Sequence, residues 1–187
     1  MKQTYEIVIA GFGGQGVLSL GQILAYAAIK ENKEVSWMPS YGPEMRGGTA
    51  NCIVIISDKR ISSPIVTKFD VAFLLNQPSV DKFESKVYPN GMLLYEQSTV
   101  INPPTRTDIE VLGIQGMAEA EKISSKQVAN MILLGAFLER HPIVKTENVL
   151  QALRSVLPSH RQHLIGVNEQ ALEKGKEIAK ATAQVKL

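Results

Sequence analysis

The first clear pattern along the chain is a β-branched apolar run, YEIVIA at 5–10, that stops at a glycine. Unbroken apolar succession suits a strand buried on both faces, as in a parallel sheet, better than a strand with one wet face. From Gly16 to about Lys30 the period changes, and Val17, Leu18, Leu20, Ile23, Leu24, Ala27 and Ala28 recur at helical spacing. A short second strand is predicted at Val35 to Met38. It leads into PSYGPEMRGGT, residues 39–49, whose prolines and glycines predict a long loop. ANCIVIIS at 50–57 reads as a strand, DKR as a tight connection, and ISSPIV as an edge strand ended by Pro64. The sheet is therefore expected to gain antiparallel strands in this stretch.

DVAFLLN at 70–76 predicts another buried strand, and the short helix after it takes Ser79 as its expected N-cap. GMLLYE from Gly91 and TDIEVLGI at 107–114 are the remaining strand candidates. Beyond them the pattern is helical. A core helix is predicted from Ser125 to about Glu139 and ends at His141-Pro142, because proline disfavours helical geometry in the residue before it. The next helix, capped by Thr146, stops at Pro158, and an amphipathic tail runs from about Val167 to Ala183 with a mixed-charge, solvated face. The order predicts an α/β fold: a Rossmann-like three-layer sandwich on a mostly parallel sheet with some antiparallel strands and a helical C-terminal third. At 187 residues, with no internal repeat or linker, a single domain over 1–187 is expected.

Charge and composition narrow the partners. Twenty Lys and Arg against 18 Asp and Glu leave a net charge of +2, too little to draw the chain to nucleic acid or to an anionic membrane surface. No stretch approaches the roughly 20 apolar residues that a membrane span needs. The N-terminal segment lacks the long apolar region of a signal peptide, so a cytoplasmic protein is expected. Cys52 is the single cysteine. It cannot form an internal disulfide or supply the four thiolates that hold an iron–sulfur cluster, and in an apolar strand it reads as a small buried hydrophobe. Trp37 reads as a core or interface anchor.

Two glycine-rich segments carry the candidate chemistry. GFGGQG at 11–16 places Gly11, Gly13 and Gly16 in G-x-G-x-x-G spacing between a strand and a helix. Such a turn can offer the N–H groups of a helix N-terminus to a phosphate, or it can serve only close packing. A dinucleotide site also wants Asp or Glu at the end of the second strand, where this chain has Ser36, Trp37, Met38 and Pro39. A conventional NAD or FAD site is thus not expected. The second segment, SYGPEMRGG at 40–48, carries Tyr41, Glu44 and Arg46 on a backbone that Gly42, Pro43, Gly47 and Gly48 can fold tightly. It either contacts an anion or a protein, or turns a corner with Glu44 and Arg46 as a solvated pair. Following the second strand, it is expected at the same carboxyl edge of the sheet as GFGGQG. Asn76, at a strand end, reads equally as a site residue or as scaffold. Asn130 and Asn168 are expected to bond to adjacent helix backbone. HRQH at 160–163 reads as a solvated loop, with a phosphate grip by Arg161 as the alternative, and His141, His160 and His163 have no metal-ligand spacing.

GFGGQG with its helix, PSYGPEMRGGTANC at 39–52 and DVAFLLNQPS at 70–79 together resemble the gamma subunit of 2-oxoacid:ferredoxin (acceptor) oxidoreductases. The form of the second loop is most similar to the 2-oxoglutarate or branched-chain type, and the same module resembles the third domain of single-chain pyruvate:ferredoxin oxidoreductase. The resemblance implies a subunit inactive by itself. Alpha and beta chains, and a ferredoxin-like delta chain in some complexes, would hold thiamine diphosphate, magnesium and 4Fe-4S clusters, with ferredoxin as electron acceptor. It also implies that this module packs on alpha and helps to accommodate CoA. The candidate binding residues are then Gly11, Phe12, Gly13, Gly14, Gln15 and Gly16 from the first loop, Ser40, Tyr41, Gly42, Glu44, Arg46, Gly47, Gly48 and Thr49 from the second, and Asn76; no catalytic and no metal-ligating residue is expected on this chain.

Overall fold

The computed structural model of the chain describes residues 2–41, 48–123 and 125–184. Strand β1 (Thr4–Phe12) is followed by helix α1 (Val17–Ile29) and strands β2 (Glu34–Tyr41) and β3 (Thr49–Ser57). Then come β4 (Phe69–Leu74), α2 (Gln77–Phe83), β5 (Val87–Glu96) and β6 (Glu110–Ile114). The helical remainder is α3 (Gly116–Lys122), α4 (Ala129–Arg140), α5 (Thr146–Val156) and α6 (Ile165–Gln184), with a 3-10 turn over Ser159–Leu164 between the last two.

The sheet order is β2-β3-β1-β4-β5-β6. β1, β4, β5 and β6 are parallel neighbours, whereas β3 runs antiparallel to both β1 and β2. β4 is buried at every position, as an interior parallel strand must be when both of its faces are covered. Alternation sorts the core into two clusters. Ile7, Ile9, Cys52, Val54, Val71, Phe73 and Leu94 face α1, α4, α5 and α6. Val8, Ala10, Ala72, Leu74 and Leu93 face the smaller layer, where Val80 and Phe83 of α2 pack with Val100 and Ile109 from connecting coil.

Several local expectations change. ISSPIV forms no strand: residues 61–66 run as coil, in which Ser63 Oγ accepts from Ile65 N, and β2 rather than this segment forms the sheet edge beside β3. The long loop is shorter than its composition predicts. Pro39, Ser40 and Tyr41 extend β2, and Thr49 opens β3. Proline is tolerated there because β2 is an edge strand. The cap of α2 is Asn76, not Ser79; its Oδ1 accepts from Ser79 N at 2.9 Å. Thr146 lies inside α5, and the cap position belongs to Lys145, whose backbone N–H goes to Glu31 Oε1 at 2.5 Å.

Candidate functional site

The glycine turn joins β1 to α1 at the carboxyl edge of the parallel strands. Gly16 occupies the α1 cap position in the left-handed region, with φ 76°. No side chain caps α1 and no acidic residue lies in its first turn, so the partial positive charge of the helix N-terminus stays uncompensated by its own helix. The two glycine-rich segments meet here. Gly13 N donates to Gly48 O at 3.0 Å, and Phe12 is paired with Thr49 in the ladder between β1 and β3. The expectation that both loops share one edge of the sheet is met by Gly13, Gly48 and Thr49. Gly42, Glu44, Arg46 and Gly47 lie outside the described residues, as does the side chain of Tyr41.

A cleft of about 810 Å³ opens on one side of the turn. Gly13, Gly14, Gly16 and Ser19 form one wall, and Arg161 and Asn168 stand among the residues of the other. Its size falls within the roughly 300–1,000 Å³ of small-molecule sites. Arg161 is exposed and has no carboxylate partner among the described residues. Its guanidinium is thus free to meet an anion held by the turn. HRQH forms part of the 3-10 turn and is largely exposed, in line with the solvated reading, and its Arg161 also lines the cleft.

On the other side of the turn lies a smaller cavity of about 190 Å³, lined by Gln15, Leu75, Glu96, Lys126 and Asn130 among others. Glu96 is buried, yet its carboxylate accepts from Ser98 N at 3.1 Å, Ser98 Oγ at 2.5 Å and Met117 N at 3.1 Å. It tethers the start of α3 to the end of β5. Asn130 does not bond to its own helix as expected; its Nδ2 donates to Gly16 O at 3.2 Å, across 114 residues of sequence. Asn168 does bond locally, to Leu164 O at 2.7 Å.

The remaining candidates divide between scaffold and edge. Gln15 turns its side chain to Phe12 N and Leu75 O, at 2.6 and 2.8 Å. Asn76 is 1% exposed, caps α2 and does not line the cleft. Ser40 is exposed on β2 opposite Asn51. Cys52 is fully buried, and burial pushes its thiol up to about 12, with the neighbouring Trp37 indole and Gly21 backbone offsetting little of that rise. A thiol in that state is a core residue. Sequence reasoning gave Arg161 only as the alternative reading of HRQH and expected Asn130 to bond within its own helix, so the cleft position of the one and the clamp of the other were not foreseen. Neither carries a local signal, because each gains its role only from an element distant in sequence.

The fold and the turn define a doubly wound α/β module whose glycine turn faces an anion-tolerant cleft without the acidic residue of a dinucleotide site. The chain belongs to the pyruvate ferredoxin/flavodoxin oxidoreductase family, which it matches over residues 6–178. It is 36% identical over 97% of its length to ketoisovalerate oxidoreductase subunit VorA of Methanothermobacter thermautotrophicus, but spans only 38% of that relative. With 2-oxoglutarate synthase subunit KorC of Methanocaldococcus jannaschii it shares 35% identity over 96% of both chains. The 2-oxoglutarate:ferredoxin oxidoreductase of Magnetococcus marinus, solved with 2-oxoglutarate, coenzyme A and succinyl-CoA bound, superposes with a TM-score of 0.86 at 25% identity, covering 97% of this chain and 32% of that one.

Proposed function

We propose that this chain is the gamma-type subunit of a thiamine-diphosphate-dependent 2-oxoacid:ferredoxin oxidoreductase, and that its cleft receives the anionic end of coenzyme A. One observation carries the ligand part. The uncapped N-terminus of α1, with no acidic residue in its first turn, lines one cleft with Arg161, which has no carboxylate partner among the described residues. The coenzyme A bound in the Magnetococcus marinus enzyme supports the same reading. The overall reaction converts a 2-oxoacid, CoA and two oxidised ferredoxins into acyl-CoA, CO2, two reduced ferredoxins and a proton. The end-to-end match to KorC favours 2-oxoglutarate as the 2-oxoacid, with ketoisovalerate as the competitor that VorA supports.

The chain's share of this chemistry is binding. Its single cysteine is buried and does not fit an iron–sulfur cluster. We therefore assign the clusters, thiamine diphosphate and magnesium to alpha, beta and delta partners, and expect the isolated subunit to be inactive. The longer relatives support the alpha chain as the neighbour, since there the matched module makes up only about a third of the polypeptide, 38% and 32% of the two chains. Among the described residues no helix is long and apolar enough to cross a membrane, in keeping with the cytoplasmic location proposed.

The test is reconstitution with the alpha and beta chains. Arg161→Ala should raise the KM for CoA about tenfold with kcat retained, the low end for a charge-assisted bond because the side chain is exposed. An unchanged KM in an intact complex removes the CoA role. Complex dissociation without a CoA effect favours loops that only dock the partner. Oxidation of a 2-oxoacid by the purified chain alone would sink the subunit reading.

A further inference from the structure

The connections leave β1 and β4 in opposite directions along the sheet, which makes the crevice between their carboxyl ends the topological switch point. Open α/β sheets bind ligands in that crevice. Here the chain fills it with one of its own side chains. The Gln15 carboxamide spans the crevice, with Oε1 accepting from Phe12 N at the end of β1 and Nε2 donating to Leu75 O at the end of β4. Gly11 is what leaves room for it. A Cβ at that position would lie 2.7 Å from Gln15 Oε1 and 2.9 Å from Leu75 Cβ. At the other end of the turn the Asn130 carboxamide donates to Gly16 O. Two neutral amides therefore grip a turn in which Gly14 and Gly16 take φ of 97° and 76°, and neither adds a charge that would cancel the helix dipole.

We infer that Gln15 is a positioning residue: it closes the switch-point crevice to ligands and holds the glycine turn in the geometry that presents the first turn of α1 to the cleft shared with Arg161. The ligand side of this assignment rests on the CoA reading above; the clamping of the turn does not. Holding a binding turn in its bound form lowers the ordering cost of association, so the clamp acts on affinity rather than on the chemical step.

Gln15→Met keeps the length of the side chain and removes both donor and acceptor. Amide hydrogen exchange on the full chain without ligand should quicken about tenfold or more at Gly13 to Leu18, while β5 stays protected. In the reconstituted complex the KM for CoA should rise about tenfold, equivalent to about 1.4 kcal/mol, with kcat and the KM for the 2-oxoacid unchanged. Unchanged exchange at the turn overturns the assignment, and so does faster exchange with an unchanged KM for CoA in Gln15→Met when Arg161→Ala does raise that KM. So does a uniform loss of protection across the sheet, which would make Gln15 a fold residue only. Gln15→Glu, which keeps an acceptor for Phe12 N and loses the donor to Leu75 O, provides a second variant if the methionine chain fails to fold, and it should quicken exchange at the turn in the same direction. A KM for CoA that is insensitive to Arg161→Ala, beside faster turn exchange in Gln15→Met, would reject the CoA reading and leave the clamp standing.

Discussion

Gly16→Ala probes the junction on which the site depends. At φ 76° an L-residue other than glycine costs about 1–2 kcal/mol. The added Cβ would also press into the Asn130 carboxamide, whose Cγ lies 3.0 Å from the new atom and whose Nδ2 lies closer still. Asn130 is 7% exposed, so its side chain has little room to retreat, and displacing it breaks the bond to Gly16 O. That loss is about 0.5–1.5 kcal/mol. The sum predicts a destabilisation of about 1.5–3.5 kcal/mol, or roughly 3–14 °C in Tm for a chain of this size. Urea denaturation of wild type, Gly16→Ala, Asn130→Ala and the double variant separates the terms. In the Asn130→Ala background the contact is gone, and Gly16→Ala should cost only its conformational part. A coupling of about 1 kcal/mol is therefore expected. A single-variant cost below about 0.5 kcal/mol, or a coupling near zero, refutes the argument that Asn130 and Gly16 act as one unit.

Two further outcomes concern titratable groups. With its thiol pushed up to about 12 by burial, Cys52 stays protonated in the fold, so iodoacetamide at pH 8 should label it only after urea unfolds the chain; labelling of the native protein at the unfolded rate would contradict the packing. Glu6 is raised above the usual carboxylate range, first by burial and then by the nearby Asp70, with Lys2 and Tyr88 opposing. A carboxyl raised in the fold binds more protons there than in the unfolded chain, so between its unfolded and folded values stability falls as pH rises. Glu6→Gln should flatten that decline in urea titrations across mildly acidic pH. A steeper decline in the variant would show that the Lys2 contact outweighs burial.

The strand–turn–helix unit at the start of the chain was legible because its determinants are local. A continuous apolar run, three glycines in fixed spacing and a helical apolar period each act within a few residues. The lack of Asp or Glu among Ser36, Trp37, Met38 and Pro39 was equally legible. Less could be read where local preference competes with pairing. ISSPIV has strand-forming residues yet stays in coil, while Pro39, a residue that usually breaks strands, survives because β2 leaves one edge unpaired. Cap assignment failed at Ser79 and Thr146 for a related reason, since several polar residues near a helix start can serve and backbone entry angles choose among them.

What the amino-acid order determined by itself is the repertoire of elements, the glycine turn and the lack of any cysteine set for a cluster. Which residues form the site was decided only by the tertiary structure. Asn130 reaches Gly16 across 114 residues, Arg161 arrives on the cleft wall through the turn between α5 and α6, and Gln15 spends its amide on Leu75 rather than on a ligand. Each of these depends on which helices pack against which end of the sheet. That is settled by burial of the whole apolar surface at once, and no short stretch of sequence records it.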